Sequence, residues 1–212
     1  SGKPQERTWV GFQDPNIHHM PFPFPWDLEK RSISGSELFQ EHLIGLEQQG
    51  VNLKRIAAFM IESFQGWGAV FYPDDYVTAM AKFAKENESL LVCDEIQAGF
   101  GRTGKLFAYE YYGITPDIVR CGKAASTSIP LSIVMARKKI IDLDPTYTST
   151  HGGHPFACAA GLGTIEAFEN TDLVNKSKQK EKFFNHALGK IVAKYPQVAP
   201  LHLGRGMLHA LY

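Results

Sequence analysis

Leu90-Leu91-Val92-Cys93-Asp94-Glu95-Ile96-Gln97 is the stretch on which the fold of this 212-residue chain turns. Four apolar residues run straight into an acid, and a glycine-rich turn, Gly99-Phe100-Gly101-Arg102-Thr103-Gly104, follows. A continuous apolar run of strand length is the pattern of a strand covered on both faces. Upstream, Ile56-Ala57-Ala58-Phe59-Met60-Ile61 has the same form and is expected to be buried on both faces; it too ends in an acid, Glu62. Downstream, Asp117-Ile118-Val119-Arg120-Cys121 and Ser132-Ile133-Val134-Met135-Ala136 read as two more short strands, and Gly122-Lys123 follows the first of them.

Helical patterns lie between and around these strands. Positions 73–87 carry Tyr76, Val77, Met80, Ala81 and Ala84 at helical spacing. Ser34-Gly35-Ser36-Glu37 has the form of a capping box and opens a helix with Leu38, Phe39, His42, Leu43 and Leu46 on one face, ended by Gly50. The expected fold class is α/β: a mostly parallel sheet with crossover helices, in which ligands gather at the carboxyl ends of strands. Beyond Pro155 the pattern is helical over 157–168 and again from 173 to about 195, with a break at Asn170-Thr171-Asp172. Residues 204–212 read as a strand that has just begun, which implies an incomplete chain. Residues 1–33 are expected to be extended and packed over the body, because each proline in His18-His19-Met20-Pro21-Phe22-Pro23-Phe24-Pro25-Trp26 removes a donor and restricts its predecessor.

Composition excludes several functions. The 22 Lys and Arg are interspersed with 22 Asp and Glu, whereas a nucleic-acid binder concentrates basic residues on one face. No apolar run approaches the roughly 18 residues of a membrane span, and the opening Ser1-Gly2-Lys3-Pro4-Gln5 lacks the apolar core of a signal peptide. The expectation is neither a nucleic-acid nor a membrane partner. Cys93, Cys121 and Cys158 lie in or beside apolar segments, which suggests buried, reduced thiols and a cytoplasmic setting.

The chemistry is carried by Asp94, Gln97 and Lys123. A carboxylate, an amide and an amine suit one aromatic aldehyde, pyridoxal phosphate: the amine can form a Schiff base and the carboxylate can keep a pyridine nitrogen protonated. Glu62 takes the same place after its strand as Asp94 does after its own. Two other motifs are weaker. The turn at 99–104 matches the dinucleotide pattern G-x-G-x-x-G, but four residues separate it from the strand and 105–113 is too short and aromatic for the long helix that should receive a pyrophosphate. His151 and His154, across a glycine turn without a nearby acid or thiol, make a poor metal set, and no metal is expected. Thr150, just before a helix start at Pro155, could donate to a phosphate. The aromatics Phe107, Tyr109, Tyr111 and Tyr112 read as packing.

Taken together, the residues from about 56 to 210 resemble the class III pyridoxal-phosphate-dependent aminotransferases of fold type I, the group of ornithine, 4-aminobutyrate and omega-amino acid transaminases. The likeness is densest over 91–104, with supporting blocks at Pro116-Asp117-Ile118, Cys121-Gly122-Lys123 and Thr150-His151-Gly152-Gly153-His154-Pro155. Lys123 follows Asp94 by 29 positions, as the family spacing requires. The resemblance implies that Lys123 forms the Schiff base with the cofactor pyridoxal 5'-phosphate and shuttles the proton. It implies that Asp94 binds the pyridine nitrogen, Ile96 packs on the ring face, Gln97 bonds the phenolic oxygen, and Glu62 orders the site. Thr150 would reach the cofactor phosphate of a second copy, so the partners implied are a small-molecule amino donor, a keto acceptor and a homodimer with shared active sites.

The family also implies a division into a partial cofactor-binding large domain at 1–160, connecting helices at 161–198 and the start of a small domain at 199–212. The family's phosphate loop and ring-stacking aromatic lie upstream of the equivalent of Ser1, and its substrate-binding arginine lies beyond Tyr212. The chain is therefore expected, as a central fragment, to bind cofactor weakly and turn over little or nothing. Ala124, His154, Ser63 and Trp67 stand where many members have glycine, asparagine, proline and glutamate, and Trp67 cannot pair with an arginine as that glutamate does. The alternatives are another fold type I enzyme, a lyase, racemase or decarboxylase, or an inert domain that only folds and dimerises.

Overall fold

A computed structural model describes residues 14–144, 146 and 148–212. Strands β1 (Ala58–Glu62), β2 (Leu90–Asp94), β3 (Ile118–Cys121) and β4 (Ile133–Ala136) form one sheet in the order β1-β2-β3-β4. The first three are parallel and β4 returns antiparallel to β3. The helices are α1 (Pro25–Arg31), α2 (Gly35–Gln48), α3 (Asp74–Glu86), α4 (Lys138–Ile141), α5 (Pro155–Asn170) and α6 (Leu173–Lys194), and β5 (His202–Arg205) pairs with β6 (Leu208–Leu211) as a separate hairpin. No helix among the described residues is long and apolar enough to cross a membrane.

Local chemistry accounts for the helices on the core side. The Ser34 hydroxyl accepts from Glu37 N at 3.1 Å and the Glu37 carboxylate accepts from Ser34 N at 2.7 Å, so the capping box closes in both directions and starts α2. From it Leu38, Phe39, Leu43 and Leu46 are buried, and α3 adds Tyr76, Val77, Met80 and Ala84. These two helices cover the sheet face that carries Phe59, Ile61, Leu91 and Cys93. Phe39 is fully buried at its centre, with its ring 5.4 to 6.1 Å from those of Tyr76, Phe83 and Phe59.

Several expectations are corrected. β1 is covered on one face, not two: Phe59 and Ile61 are buried while Met60 is 53% exposed. The extended N-terminal segment gives way to helix α1, because a proline at the first helical position loses no hydrogen bond the helix needs. The first thirteen residues of that expected segment lie outside the described residues. Its described part does pack over the body, with Phe22 against Tyr72 and Trp26 edge-on to Tyr212. The crossover from β2 to β3 holds a short 3-10 turn, Ala108–Tyr112, in the segment whose sequence reads as too short and aromatic for a long helix. Residues 202–211 form two strands of a hairpin rather than one beginning strand. Cys93 and Cys121 are buried, whereas Cys158 is exposed.

Two measurements check this picture. Phe39→Ala should destabilise the fold by about 3–5 kcal/mol in denaturant unfolding, and Met60→Ala, on the uncovered face, by less than about 0.5 kcal/mol. Burial pushes the Cys93 thiol up to about 12 and the Cys121 thiol up to about 11. A thiol-specific reagent at mildly alkaline pH should therefore modify Cys158 rapidly and the other two only on unfolding.

Candidate active site

Strand alternation decides what can meet at the rim. Phe59 and Ile61 face α2 and α3, so Met60 and Glu62 face the other way. The parallel register sets Ile61 against Cys93 and Glu62 against Asp94, which places both acids on that far face at the carboxyl ends of β1 and β2. The chain then turns around Asp94: its Oδ1 accepts from Ile96 N at 3.0 Å, which fixes the carboxylate and begins the turn that presents Ile96 and Gln97.

A cavity of about 190 Å³ opens there, lined by Glu62, Phe64, Asp94, Ile96, Gln97 and Lys123. Five of the six residues named from sequence thus come together from separate segments. Thr150, the sixth, lies exposed in the turn before α5 and does not line this cavity. His151 and His154 stand in the same exposed region, with ring centroids 6.4 Å apart.

Glu62 accepts from Gly66 N at 2.9 Å, and the Gln97 amide donates to Gly66 O at 3.2 Å. A Cβ at Gly66 would lie 2.7 Å from the Gln97 side chain, so this wall closes only over glycine. Behind it, Gln65 and Val70 bridge, Tyr112 donates to Ser63 O at 2.8 Å, and Tyr212 donates to Gly68 O at 2.7 Å. Trp67 sits on this turn, 61% exposed.

Opposite, Gly122 is extended and Lys123 takes a positive φ of 43°, opening a 3-10 turn in which Ala125 N donates to Gly122 O at 2.9 Å. Lysine in that backbone region is uncommon. Lys123 is exposed and joined to no carboxylate among the described residues, so its amine is available to a ligand in the cavity.

Three participants escaped the sequence reading. Phe64 is buried in the cavity wall. Glu95, next to Asp94, points into the core: it is fully buried and its carboxylate accepts from Ala108 N and Tyr109 N, each at 2.9 Å. Burial pushes its carboxyl above the usual range, against the pull of those two amides. Arg120 stands in register with Asp94, with Nη1 3.8 Å from Asp94 Oδ2. The signal for Glu95 was an acid beside a strand end followed by an aromatic block; for Arg120 it was the charge within an otherwise apolar strand.

The family model for class-III aminotransferases matches residues 1–211, and the chain belongs to that family. An ornithine aminotransferase of Emericella nidulans is 37% identical over 169 residues, 78% of this chain and 36% of the relative. An (S)-enantioselective omega-transaminase from Thermomicrobium roseum superposes with a TM-score of 0.82 at 30% identity, covering 96% of this chain and 47% of the other. A taurine:2-oxoglutarate aminotransferase from Bifidobacterium kashiwanohense, in complex with PLP and glutamate, gives 0.83 at 26% identity, covering 98% and 48%. The chain spans between a third and a half of the length of these relatives.

Glu95 generates a prediction. Its folded carboxyl lies above the ordinary value of 4.5, so the native state binds the extra proton and stability falls as pH rises from 4.5 through the elevated folded value. Glu95→Gln should flatten that slope in urea midpoints measured across this range. At neutral pH it should also cost about 1–3 kcal/mol, because its amide turns a donor toward one of the two backbone N–H groups.

Proposed function

We propose that this chain is the cofactor-holding part of an aminotransferase that moves an amino group from a small-molecule amino donor to a keto acid or aldehyde with pyridoxal 5'-phosphate. The observation that carries the reading is the single cavity where Lys123, Asp94, Gln97, Ile96 and Glu62 converge. The donor set fits the group: an amine for its aldehyde, a carboxylate for its ring nitrogen, an amide for its phenolic oxygen and an apolar side chain for its ring face. When bound, the group supplies an electron sink for the pair left at a carbon that loses its proton.

The protein does the rest. Lys123 would hold the aldehyde carbon through Nζ and, with Nζ freed, would take the proton from the donor's carbon as general base and give it back as general acid. Asp94, fixed by the Ile96 amide, would keep the ring nitrogen protonated. Gln97 has a second N–H beyond the one given to Gly66 and can donate it to the phenolic oxygen. Ile96, against which Gly122 packs so closely that a Cβ there would lie 3.3 Å from its side chain, would cover one ring face. Glu62 holds the rim through Gly66.

The reading extends to a homodimer with shared active sites, in which Thr150 serves the cofactor phosphate of the second copy. It is supported by the exposed apolar residues Phe156, Leu162 and Ile165 on α5, the helix that follows the Thr150 turn. Burial of Cys93 and Cys121 as free thiols supports a cytoplasmic setting.

Addition of pyridoxal 5'-phosphate should produce a visible absorption band, and borohydride should fix the group to the peptide containing Lys123. Lys123→Ala should lose both, and in the active assembly should lower amino transfer by at least about a hundredfold, the scale of a lost acid–base group. A Lys123→Ala chain that absorbs and is trapped like the parent would sink the assignment.

A further inference from the structure

Asp94 is held at both oxygens before any ligand arrives. Oδ1 accepts from Ile96 N at 3.0 Å, and Oδ2 faces Arg120 Nη1 at 3.8 Å. The second contact is built into the sheet. Asp94 and Arg120 are partners in the parallel β2–β3 register, so strand alternation sends both side chains to the face away from α2 and α3. Arg120 also reaches along that face to Met60, with Nη1 3.7 Å from Sδ, a weak acceptor that leaves its charge uncompensated there. A guanidinium keeps its charge at every working pH.

We infer that Arg120 is a positioning residue that loosens the hold of Asp94 on the ring nitrogen of the cofactor and so moderates the electron sink. The inference rests on the proposed cofactor reading. A protonated ring nitrogen on Asp94 is a cation that must share one carboxylate with a second cation. Like charges that close repel, and the negative charge of the carboxylate is divided between them. The cavity therefore favours a ring with a protonated nitrogen less than the same carboxylate would without Arg120. The Arg120 side chain is 42% exposed and that of Asp94 18%, so solvent screens the effect and its size is a few-fold in binding rather than orders of magnitude. A weaker grip on that proton means less electron withdrawal by the ring, which bears on how readily the proton held by Lys123 is exchanged.

The test compares pyridoxal 5'-phosphate with its 1-deaza analogue, in which a C–H replaces the ring nitrogen while aldehyde, phenolic oxygen and phosphate are kept. The ratio of dissociation constants, analogue over parent compound, isolates what the nitrogen contributes; contacts to the phosphate and to Lys123 cancel. Arg120→Met should raise this ratio about threefold, and Arg120→Lys, which keeps the charge, should leave it near the value of the unchanged chain. Salt screens the attraction to Asp94 as well as the repulsion from Arg120, so raising it from about 0.02 M to about 0.5 M should narrow the gap between the ratios of the unchanged chain and Arg120→Met. If Arg120→Met fails to fold, Arg120→Gln, which also removes the charge but keeps a polar side chain, decides in its place.

An unchanged ratio in the variant overturns the role given to Arg120 and leaves the cofactor reading standing. A lowered ratio overturns it as well, because it shows that Arg120 only holds the carboxylate in place. Failure of both compounds to bind removes the cofactor reading and the role of Arg120 together.

Discussion

The register of the parallel strands carries the site. Residue 62 stands against 94 and 94 against 120, so β1 and β2 end level and a charged residue of each strand projects from the same face. A shift of one residue in either pairing would send Asp94 or its neighbour into the core, because side chains alternate with period two. What prevents the shift is the packing of Phe59, Ile61, Leu91 and Cys93 beneath α2 and α3. The hydrophobic face thus fixes the polar one.

The pair Asp94 and Glu95 shows how far one position along a strand changes the fate of the same chemical group. Asp94 stands at a cavity where one oxygen is bonded and the other shared with a cation. Glu95 is sealed from water and satisfied by two backbone amides of the Ala108–Tyr112 turn. The first is suited to meet a ligand. The second ties the loop after β2 to the aromatic block and keeps the first in position.

Much of this was legible in the sequence because strand ends are. An apolar run closed by an acid marks a rim position whatever the rest of the chain does, and it located Glu62 and Asp94; the glycine before Lys123 located the third corner. What could not be read depended on partners distant in sequence. The run 56–61 looks the same whether one face or two are covered, and only the placement of α2 and α3 decides. Helix α1 was hidden by prolines that forbid a helix interior yet favour its first position. Arg120 acquired meaning only from its register partner, and Glu95 only from amides 13 and 14 residues away. Thr150 lies outside the cavity formed within one chain.

The turn over the cavity is pinned from behind at several points. Tyr212 donates to Gly68 O, the Arg205 guanidinium lies 4.2 Å from the Phe71 ring centroid and 4.4 Å from that of Tyr111, and Met207 N bonds Arg102 O at 2.8 Å. The β5–β6 hairpin therefore braces the segment that supplies Gly66 to both Glu62 and Gln97. A wall already ordered in this way has little conformational entropy left to surrender when a ligand enters. Ordering a single rotamer-rich side chain typically costs about 0.5–1.5 kcal/mol on association, so residues far from the chemistry set part of the affinity through the preorganisation they impose.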